Sequence, residues 1–270
     1  MNVPFFDYPE LYKRDKEDFI RIFDEVCSKG AYIMQKELQD FEEEIASYCN
    51  INYAIGVGNA TDALEMAFYL TGIDKGDEVI LPSHTMTATP SSAHLHGGVP
   101  IFVDVDEEGF MNVDLIEEKI TEKTKYIVPV QLNGRTSKME NILRISEKYN
   151  IKIIEDSAQG LGSKYKNKQA GTFGVAGVFS FYPAKVLGTL GDGGMLITND
   201  SNLAEKAKYY RDHGRNGLEC EIWGRNSRLD NIHAAFLSFQ FKSFEKKIKT
   251  RKNIANMYYE ELEKISEIKL

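Results

Sequence analysis

The spacing of apolar residues divides the chain into a helical beginning, an alternating middle and a helical end. Over residues 12–29 and 35–48, apolar side chains recur every three or four positions among charged ones, which predicts two amphipathic helices. Beyond residue 229 the same spacing continues almost to residue 270 and predicts one long helix.

The middle of the chain alternates short apolar runs with helical patterns. Seven runs are mostly apolar on both faces and rich in β-branched residues, which is typical of strands in a parallel sheet covered on two sides. These runs are residues 53–57, 78–81, 100–103, 125–130, 151–155, 176–181 and 194–198. The helical patterns between and after them are residues 60–71, 86–97, 112–121, 138–149 and 201–213. The alternation predicts an α/β fold with a doubly wound, mostly parallel seven-stranded sheet and helices on both faces.

Composition and charge narrow the class of protein. The 270 residues are 42% hydrophobic and 27% charged, which is close to the globular average and excludes a disordered chain. A net charge of −8 does not suit a protein that coats nucleic acid or an anionic membrane. No apolar run approaches the roughly 20 residues that span a bilayer, and the first residues do not resemble a signal peptide. Three cysteines without C-x-x-C spacing indicate free thiols, so we expect a soluble, cytoplasmic protein.

Ligands of parallel sheets bind where strands end, and the first such place is the turn GVGNATDAL at residues 56–64. Small residues before a helix let backbone N–H groups approach an anion, so a phosphate site is one interpretation and an ordinary strand-to-helix turn is the other. The turn lacks the third glycine of a dinucleotide motif and the G-K-[ST] ending of a Walker loop.

Two later strand ends carry ionisable residues. Asp156 ends a predicted strand in IIEDSAQG and Gln159 follows it; this carboxylate either pairs with a protonated ring nitrogen or caps a helix. Lys185 lies in FSFYPAKVLGTLGDGGML, where apolar and small neighbours would desolvate it, lower its pKa and free the amine as a nucleophile. Most lysines are solvated surface groups, which is the competing interpretation. The later segment WGRNSRLDNIHAAFL indicates only a loop and a helix start.

Other motifs do not point to a site. The calcium-like loop at residues 104–115 ends in Leu115 instead of glutamate. His94 and His96 have no metal-ligand spacing to a cysteine or carboxylate, so we expect no metal. G-x-S-x-G is absent from the sequence.

A phosphate turn, a strand-end aspartate and a reactive lysine are together what pyridoxal 5′-phosphate requires. Their order and wording resemble the DegT/StrS family of pyridoxal-phosphate-dependent sugar aminotransferases, within the aspartate aminotransferase fold superfamily. The resemblance extends from GAYIMQKELQDFEEEIASYC through NATDAL, EDSAQ and SFYPAK to GRNSRLDNIHAA. It implies the transferase fold of that superfamily. It also implies transfer of an amino group from an amino acid, with L-glutamate expected, to a keto group of a nucleotide-linked deoxysugar.

The resemblance also implies a role for each matching residue. Lys185 would hold the cofactor as an internal aldimine and then carry a proton. Asp156 would pair with the ring nitrogen, Gln159 would bind the phenolic oxygen, and His84 would stack on the ring, where the family has an aromatic residue.

The cofactor's phosphate would be held by four further residues. These are the backbone of Ala60 and Thr61, the hydroxyl of Ser180, and Asn226 from the neighbouring subunit. The resemblance therefore implies a homodimer with two shared sites.

Departures from the family leave alternatives open. Residues 131–135 read QLNGR where the family commonly has H-L-Y-G on the way to the substrate, so the sugar is undetermined. Arg135 either contacts a negative group of the substrate or is a surface arginine. A sugar dehydratase of the same family would have histidine in place of Lys185, and a non-catalytic or regulatory protein of this fold is the other alternative.

The resemblance also predicts the domain organisation. Residues 1–235 would form the large cofactor-binding domain with an N-terminal helical segment. Residues 236–270 would be a long helix leading into a small C-terminal domain that is truncated here. We therefore expect the cofactor residues to be present and some substrate contacts to be missing.

Overall fold

A computed structural model describes residues 4–268, which form eight α-helices around a seven-stranded sheet. The sheet strands are β1 (Tyr53–Val57), β2 (Glu78–Pro82), β3 (Val99–Val103), β4 (Thr124–Ile127), β5 (Lys152–Asp156), β6 (Ala176–Ser180) and β7 (Gly194–Thr198). The helices are α1 (Tyr8–Ser28), α2 (Lys36–Cys49), α3 (Ala60–Thr71), α4 (Ala88–His94), α5 (Met139–Tyr149), α6 (Ser201–Tyr210), α7 (Asn231–Phe241) and α8 (Phe244–Leu262). All seven predicted strands are present.

The order and directions of the strands bring several strand ends to the same edge of the sheet. The order is β1-β7-β6-β5-β4-β2-β3, and β7 runs antiparallel to both of its neighbours while the other pairs are parallel. The carboxyl ends of β1, β5 and β6 therefore lie at the same edge as the amino end of β7. In register, Gly194 pairs with both Val57 and Ser180. The predicted α/β fold with a mostly parallel sheet is confirmed.

Buried side chains on the two faces of the sheet form separate cores, because successive residues of a strand point to opposite faces. Ile55 and Leu196 pack with α3 and α6 on one face. Ala54 and Ile197 pack with α2 and α7 on the other. Helices therefore cover both faces, as the apolar character of both strand faces predicts.

The helical segment before β1 is fixed to α7 by one buried amide. The side chain of Asn231 is fully buried; it accepts the N–H of Leu38 at 2.9 Å and donates to the carbonyl of Ala31 at 2.7 Å and to the carboxylate of Glu37 at 2.6 Å. The predicted domain boundary after residue 235 falls within α7 and stays a prediction. Within residues 4–268, no helix is long and apolar enough to cross a membrane.

Three predicted helices differ from the structure. Residues 112–121 form two short 3₁₀ turns, Val113–Leu115 and Glu117–Lys119, because successive N–H groups bond three residues back instead of four. The helix predicted over 86–97 is confined to α4, since Gly97 turns the chain with φ of +91°.

The long C-terminal helix is also interrupted. It divides into α7 and α8 at residues 242–243. Both the N–H and the hydroxyl of Ser243 bond the carbonyl of Gln240, at 3.1 and 3.0 Å. These bonds close a turn in place of the helical bonds.

Candidate active site

The turn between β1 and α3 presents free N–H groups at a helix N-terminus. Asn59 caps α3: its side-chain oxygen accepts the N–H of Asp62 at 2.9 Å, and its carbonyl accepts the N–H of Ala63 at 3.2 Å. The N–H groups of Ala60 and Thr61 precede these bonds and have no acceptor in the described part of the chain. Such groups, together with the helix dipole, favour an anion at this position.

Gly194 brings this turn against the ends of β6 and β7. A Cβ at Gly194 would lie 2.3 Å from the carbonyl carbon of Asn59 and 2.6 Å from the nitrogen of Ala60, so only glycine allows the contact. Because Gly194 pairs with Ser180 in the sheet, the half-buried hydroxyl of Ser180 lies beside the same turn. Three of the four predicted phosphate residues, Ala60, Thr61 and Ser180, thus lie at one place, and their donors suit a phosphate group.

The segment at residues 223–237 reaches the same turn through a residue that sequence reasoning missed. The hydroxyl of Ser227 accepts the N–H of Gly58 at 3.2 Å and donates to Asp62 at 2.7 Å. Asn226, the neighbouring residue, is exposed, and its backbone pairs with Asp212.

Asp156 ends β5 as a buried carboxylate with a defined orientation. One oxygen accepts the hydroxyl of Thr89 at 2.6 Å, and the other accepts the N–H of Ala158 at 3.1 Å. Residues 158–162 form turns and not a helix, so the helix-capping interpretation of Asp156 is wrong. Thr89 was not predicted, although it follows β2 at the same edge of the sheet.

Lys185 lies half-buried in the loop after β6. Burial lowers the pKa of its amine, and the neighbouring carboxylate of Asp156 partly offsets this effect. Because β5 and β6 are neighbouring strands, Asp156 and the loop of Lys185 lie at the same edge of the sheet. Lys185 is half-buried there, so its interpretation as a solvated surface group is wrong.

Gln159 joins this site to the loop after β4. Its side-chain oxygen accepts the N–H of Asn133 at 2.9 Å, and its carbonyl accepts the N–H of Gly134 at 3.1 Å. Its amide nitrogen keeps its protons for another partner. The exposed side of Gln159 therefore presents a donor.

The segment 131–135, which the resemblance places on the way to the substrate, divides into structural and exposed residues. Gln131 is fully buried; it donates to Glu155 at 2.9 Å and accepts the N–H of Ser137 at 2.7 Å, so it cannot contact a substrate. Arg135 packs on the ring of Phe110 at 4.8 Å and donates to a backbone carbonyl at 2.8 Å, which supports its interpretation as a surface arginine.

The predicted ring-stacking residue lies in an exposed loop. His84 is exposed in the loop after β2, and its Nδ1 lies 3.7 Å from where a Cβ would stand at Gly109. Its stacking role stays a prediction.

The histidine pair considered for metal binding separates in the structure. His94 is exposed, whereas His96 lies 3.6 Å from the buried carboxylate of Glu65, which also pairs with Arg225. Residues 4–268 contain no group of three or more side chains suited to hold a metal ion.

Comparison with known proteins points to one family. The sequence profile of the DegT/DnrJ/EryC1/StrS aminotransferase family matches residues 13–270. A "Pleiotropic regulatory protein" from Geobacillus stearothermophilus is 41% identical over 97% of this chain and 71% of its own length. A dTDP-3-amino-3,6-dideoxy-alpha-D-galactopyranose transaminase from Aneurinibacillus thermoaerophilus is 40% identical over 96% of this chain and 72% of its own length.

Solved structures agree. DesV from S. venezuelae, in complex with a ketimine intermediate, is 35% identical, with a TM-score of 0.93 over 96% of this chain and 71% of its own. NtdA from Bacillus subtilis, with bound cofactor PMP, is 34% identical, with a TM-score of 0.81 over 87% of this chain and 55% of its own.

Proposed function

The chain belongs to the DegT/DnrJ/EryC1/StrS aminotransferase family, which depends on pyridoxal phosphate, and we propose that it aminates a nucleotide-linked sugar. The amino group would pass from an amino acid, with L-glutamate expected, to a keto group of a nucleotide-linked deoxysugar. The observation that carries this proposal is the half-buried Lys185 beside the oriented carboxylate of Asp156. Both lie at the edge of the sheet where the absence of a side chain at Gly194 lets the N-terminus of α3 approach closely.

The residues at this edge fit pyridoxal phosphate. The N–H groups of Ala60 and Thr61 and the hydroxyl of Ser180 would hold its phosphate. Asp156 would accept a hydrogen bond from the ring nitrogen, and the free amide protons of Gln159 would donate to the phenolic oxygen. When bound, the cofactor carries the amino group between donor and acceptor and takes up electrons from the substrate's Cα.

Lys185 would perform two tasks. Because burial lowers the pKa of Lys185, a larger fraction of it would be the neutral amine that attaches to the cofactor. When not attached to the cofactor, the same amine would act as the base that moves a proton from the substrate carbon.

We further propose a homodimer in which Asn226 reaches the neighbouring site. Two observations support it. The side chain of Asn226 is exposed while Ser227 is anchored in its own subunit, and the preceding segment, residues 215–224, leaves Leu218 and Trp223 exposed. Exposed large apolar groups beside a ligand site are typical of a protein interface. Analytical ultracentrifugation of the wild-type protein and of a Trp223→Ser variant would test the homodimer. We expect the wild type to sediment as a dimer and the variant to dissociate at a higher protein concentration than the wild type.

Borohydride reduction of the cofactor-loaded protein tests the proposed site. We expect the reduced cofactor to be found by peptide mass spectrometry on Lys185 and on no other lysine. Lys185→Arg keeps the charge but should remain unlabelled. A wild-type protein that binds the cofactor with Lys185 unmodified would refute the proposal.

A regulatory function is the second candidate, because the relative from Geobacillus stearothermophilus is named a regulatory protein. A protein of that kind would bind the cofactor without converting it. The two functions can be distinguished by adding an amino acid and measuring the absorbance of the bound cofactor. An aminotransferase converts the cofactor to its amine form, and a regulatory protein of this kind does not.

A further inference from the structure

Two threonine hydroxyl groups, one half-buried and one fully buried, lead to the carboxylate of Asp156. Thr89, near the start of α4, is fully buried, and its hydroxyl donates to Asp156 Oδ2 at 2.6 Å. The hydroxyl of Thr85, in the loop that carries His84, lies 2.7 Å from the hydroxyl of Thr89.

The direction of this chain follows from counting protons. A hydroxyl has one proton to donate, and Thr89 donates its proton to Oδ2 of Asp156. Thr85 must therefore be the donor to Thr89. The bonds run from Thr85 through Thr89 to Asp156, and hydrogen bonds to a charged acceptor are stronger than neutral ones.

The chain fixes the carboxylate against rotation. Asp156 Oδ1 is held by the N–H of Ala158 at 3.1 Å, and Oδ2 is held by Thr89. With one donor on each oxygen, the plane of the carboxylate is set from both sides, and lone pairs remain for a further partner.

Helix α4 also contacts the first turn of α3. Ser92, fully buried on α4, donates to the carbonyl of Ala88 at 2.7 Å and lies 3.4 Å from the carbonyl of Thr61. One short helix thus contacts the candidate ring-nitrogen residue and the candidate phosphate turn.

We propose that Thr89 is a positioning residue for the cofactor. It holds Asp156 toward the ring nitrogen and, through Thr85, holds the loop of His84 over the same site. This inference rests on the proposed function. It assigns to Thr89 an orienting role and no contact with the cofactor.

Cofactor affinity in three variants tests the proposal. Thr89→Val keeps the shape and removes the hydroxyl; we expect the dissociation constant of pyridoxal phosphate to rise by about tenfold to a hundredfold. We also expect the absorbance band of the bound cofactor to shift. Thr89→Ser restores the hydroxyl and should return both values toward wild type. Thr85→Val, which removes only the second donor, should shift them in the same direction but less.

Thr198→Val is the matched control. Its hydroxyl is also buried and donates to the carbonyl of Val175 at 2.7 Å, but it lies at the opposite edge of the sheet. This variant should lower the free energy of unfolding and leave cofactor affinity and absorbance unchanged.

The outcomes separate the two proposals. If Thr89→Val and Thr85→Val both bind the cofactor with wild-type affinity and absorbance, the positioning role is refuted while the aminotransferase proposal stands. If wild-type protein does not attach the cofactor to Lys185, the proposed function itself fails.

Discussion

Lys185 is subject to two opposing effects. Burial lowers the pKa of its amine, while the negative charge of Asp156 raises it, and burial is the larger of the two. At a given pH a larger fraction of Lys185 is therefore neutral than of a solvated lysine. A neutral amine is the form that attacks an aldehyde.

Amine labelling of the cofactor-free protein as a function of pH measures this difference. We expect the labelling midpoint of Lys185 to lie below that of Lys166, whose pKa is raised by its bond to Glu140. Asp156→Asn removes the charge that raises the pKa of Lys185, so its midpoint should fall further. A midpoint for Lys185 at or above that of Lys166 would contradict the burial argument.

Position at the end of a buried strand and in the loop after one made Asp156 and Lys185 candidates, and the family resemblance gave each of them a role. Neither of these located Thr89 or Ser227. Their partners lie 67 and 169 residues away along the chain, and a hydrogen bond over such a separation leaves no local pattern. Gln131 was misjudged for the same reason, since its burial depends on the carboxylate of Glu155, 24 residues away.

At the scale of elements, the site depends on the close approach of α3 to β7. Gly194 has no side chain and thereby lets the peptide of Asn59 and Ala60 pack on the sheet edge. Strand β7, inserted antiparallel between β1 and β6, places that glycine beside Ser180.

Gly194→Ala should separate these elements. The added methyl meets backbone atoms at 2.3 Å, so the turn must move, at a cost of about 1–3 kcal/mol in the free energy of unfolding. Cofactor affinity should fall because the Ala60 N–H is displaced from Ser180. Urea unfolding and cofactor titration give the two values.

Gly58→Ala is the control on the same turn. Its Cβ would meet the Ser227 hydroxyl at 3.3 Å and a carboxylate oxygen at 3.5 Å, and no backbone atom closer than 3.8 Å. The variant should cost less in both measurements. Equal losses from Gly58→Ala and Gly194→Ala would show that the steric argument for Gly194 is wrong.

The strands, which have continuous apolar runs, were predictable from the sequence. The turns and the helix break, which depend on local hydrogen bonds, were not. The seven strands follow from apolar runs, and six of them are mostly buried, whereas β3 at the end of the sheet is largely exposed. The 3₁₀ turns at Val113–Leu115 and Glu117–Lys119 and the break at Ser243 carry apolar spacing like that of a helix. Only the bonding of individual N–H and hydroxyl groups distinguishes them.

For the molecule as a whole, stability should depend on pH through His96. Burial lowers the pKa of this imidazole, with Glu65 acting in the opposite direction. The unfolded chain therefore takes up a proton at a higher pH than the folded protein. The free energy of unfolding should fall as the pH decreases through about 6.5, the ordinary histidine value.

Urea unfolding between pH 7.5 and pH 5.5 tests this expectation. His96→Gln should make the loss of stability on acidification shallower, since the variant has no imidazole to protonate. The exposed His94 provides the control, and His94→Gln should leave the slope as in wild type. An unchanged slope in His96→Gln would exclude this histidine as a source of acid sensitivity.

The architecture of the sheet was predictable from the sequence only in part. Strand–helix alternation predicted a doubly wound, mostly parallel sheet, and the family resemblance predicted the transferase fold; both are confirmed. The antiparallel insertion of β7 was not predictable from periodicity, since its apolar run resembles the others. Its pairing with β1 joins residues more than 130 positions apart, and that pairing places Gly194 at the site.

The half-reaction with amino acids tests the central claim most directly. Protein loaded with pyridoxal phosphate is incubated with L-glutamate, and then with each other common amino acid, while 2-oxo acid and cofactor absorbance are measured. We predict about one equivalent of 2-oxo acid per subunit and conversion of the cofactor to its amine form in the wild type, and neither in Lys185→Arg. Wild-type protein with the cofactor attached to Lys185 that yields no 2-oxo acid from any amino acid would contradict an aminotransferase.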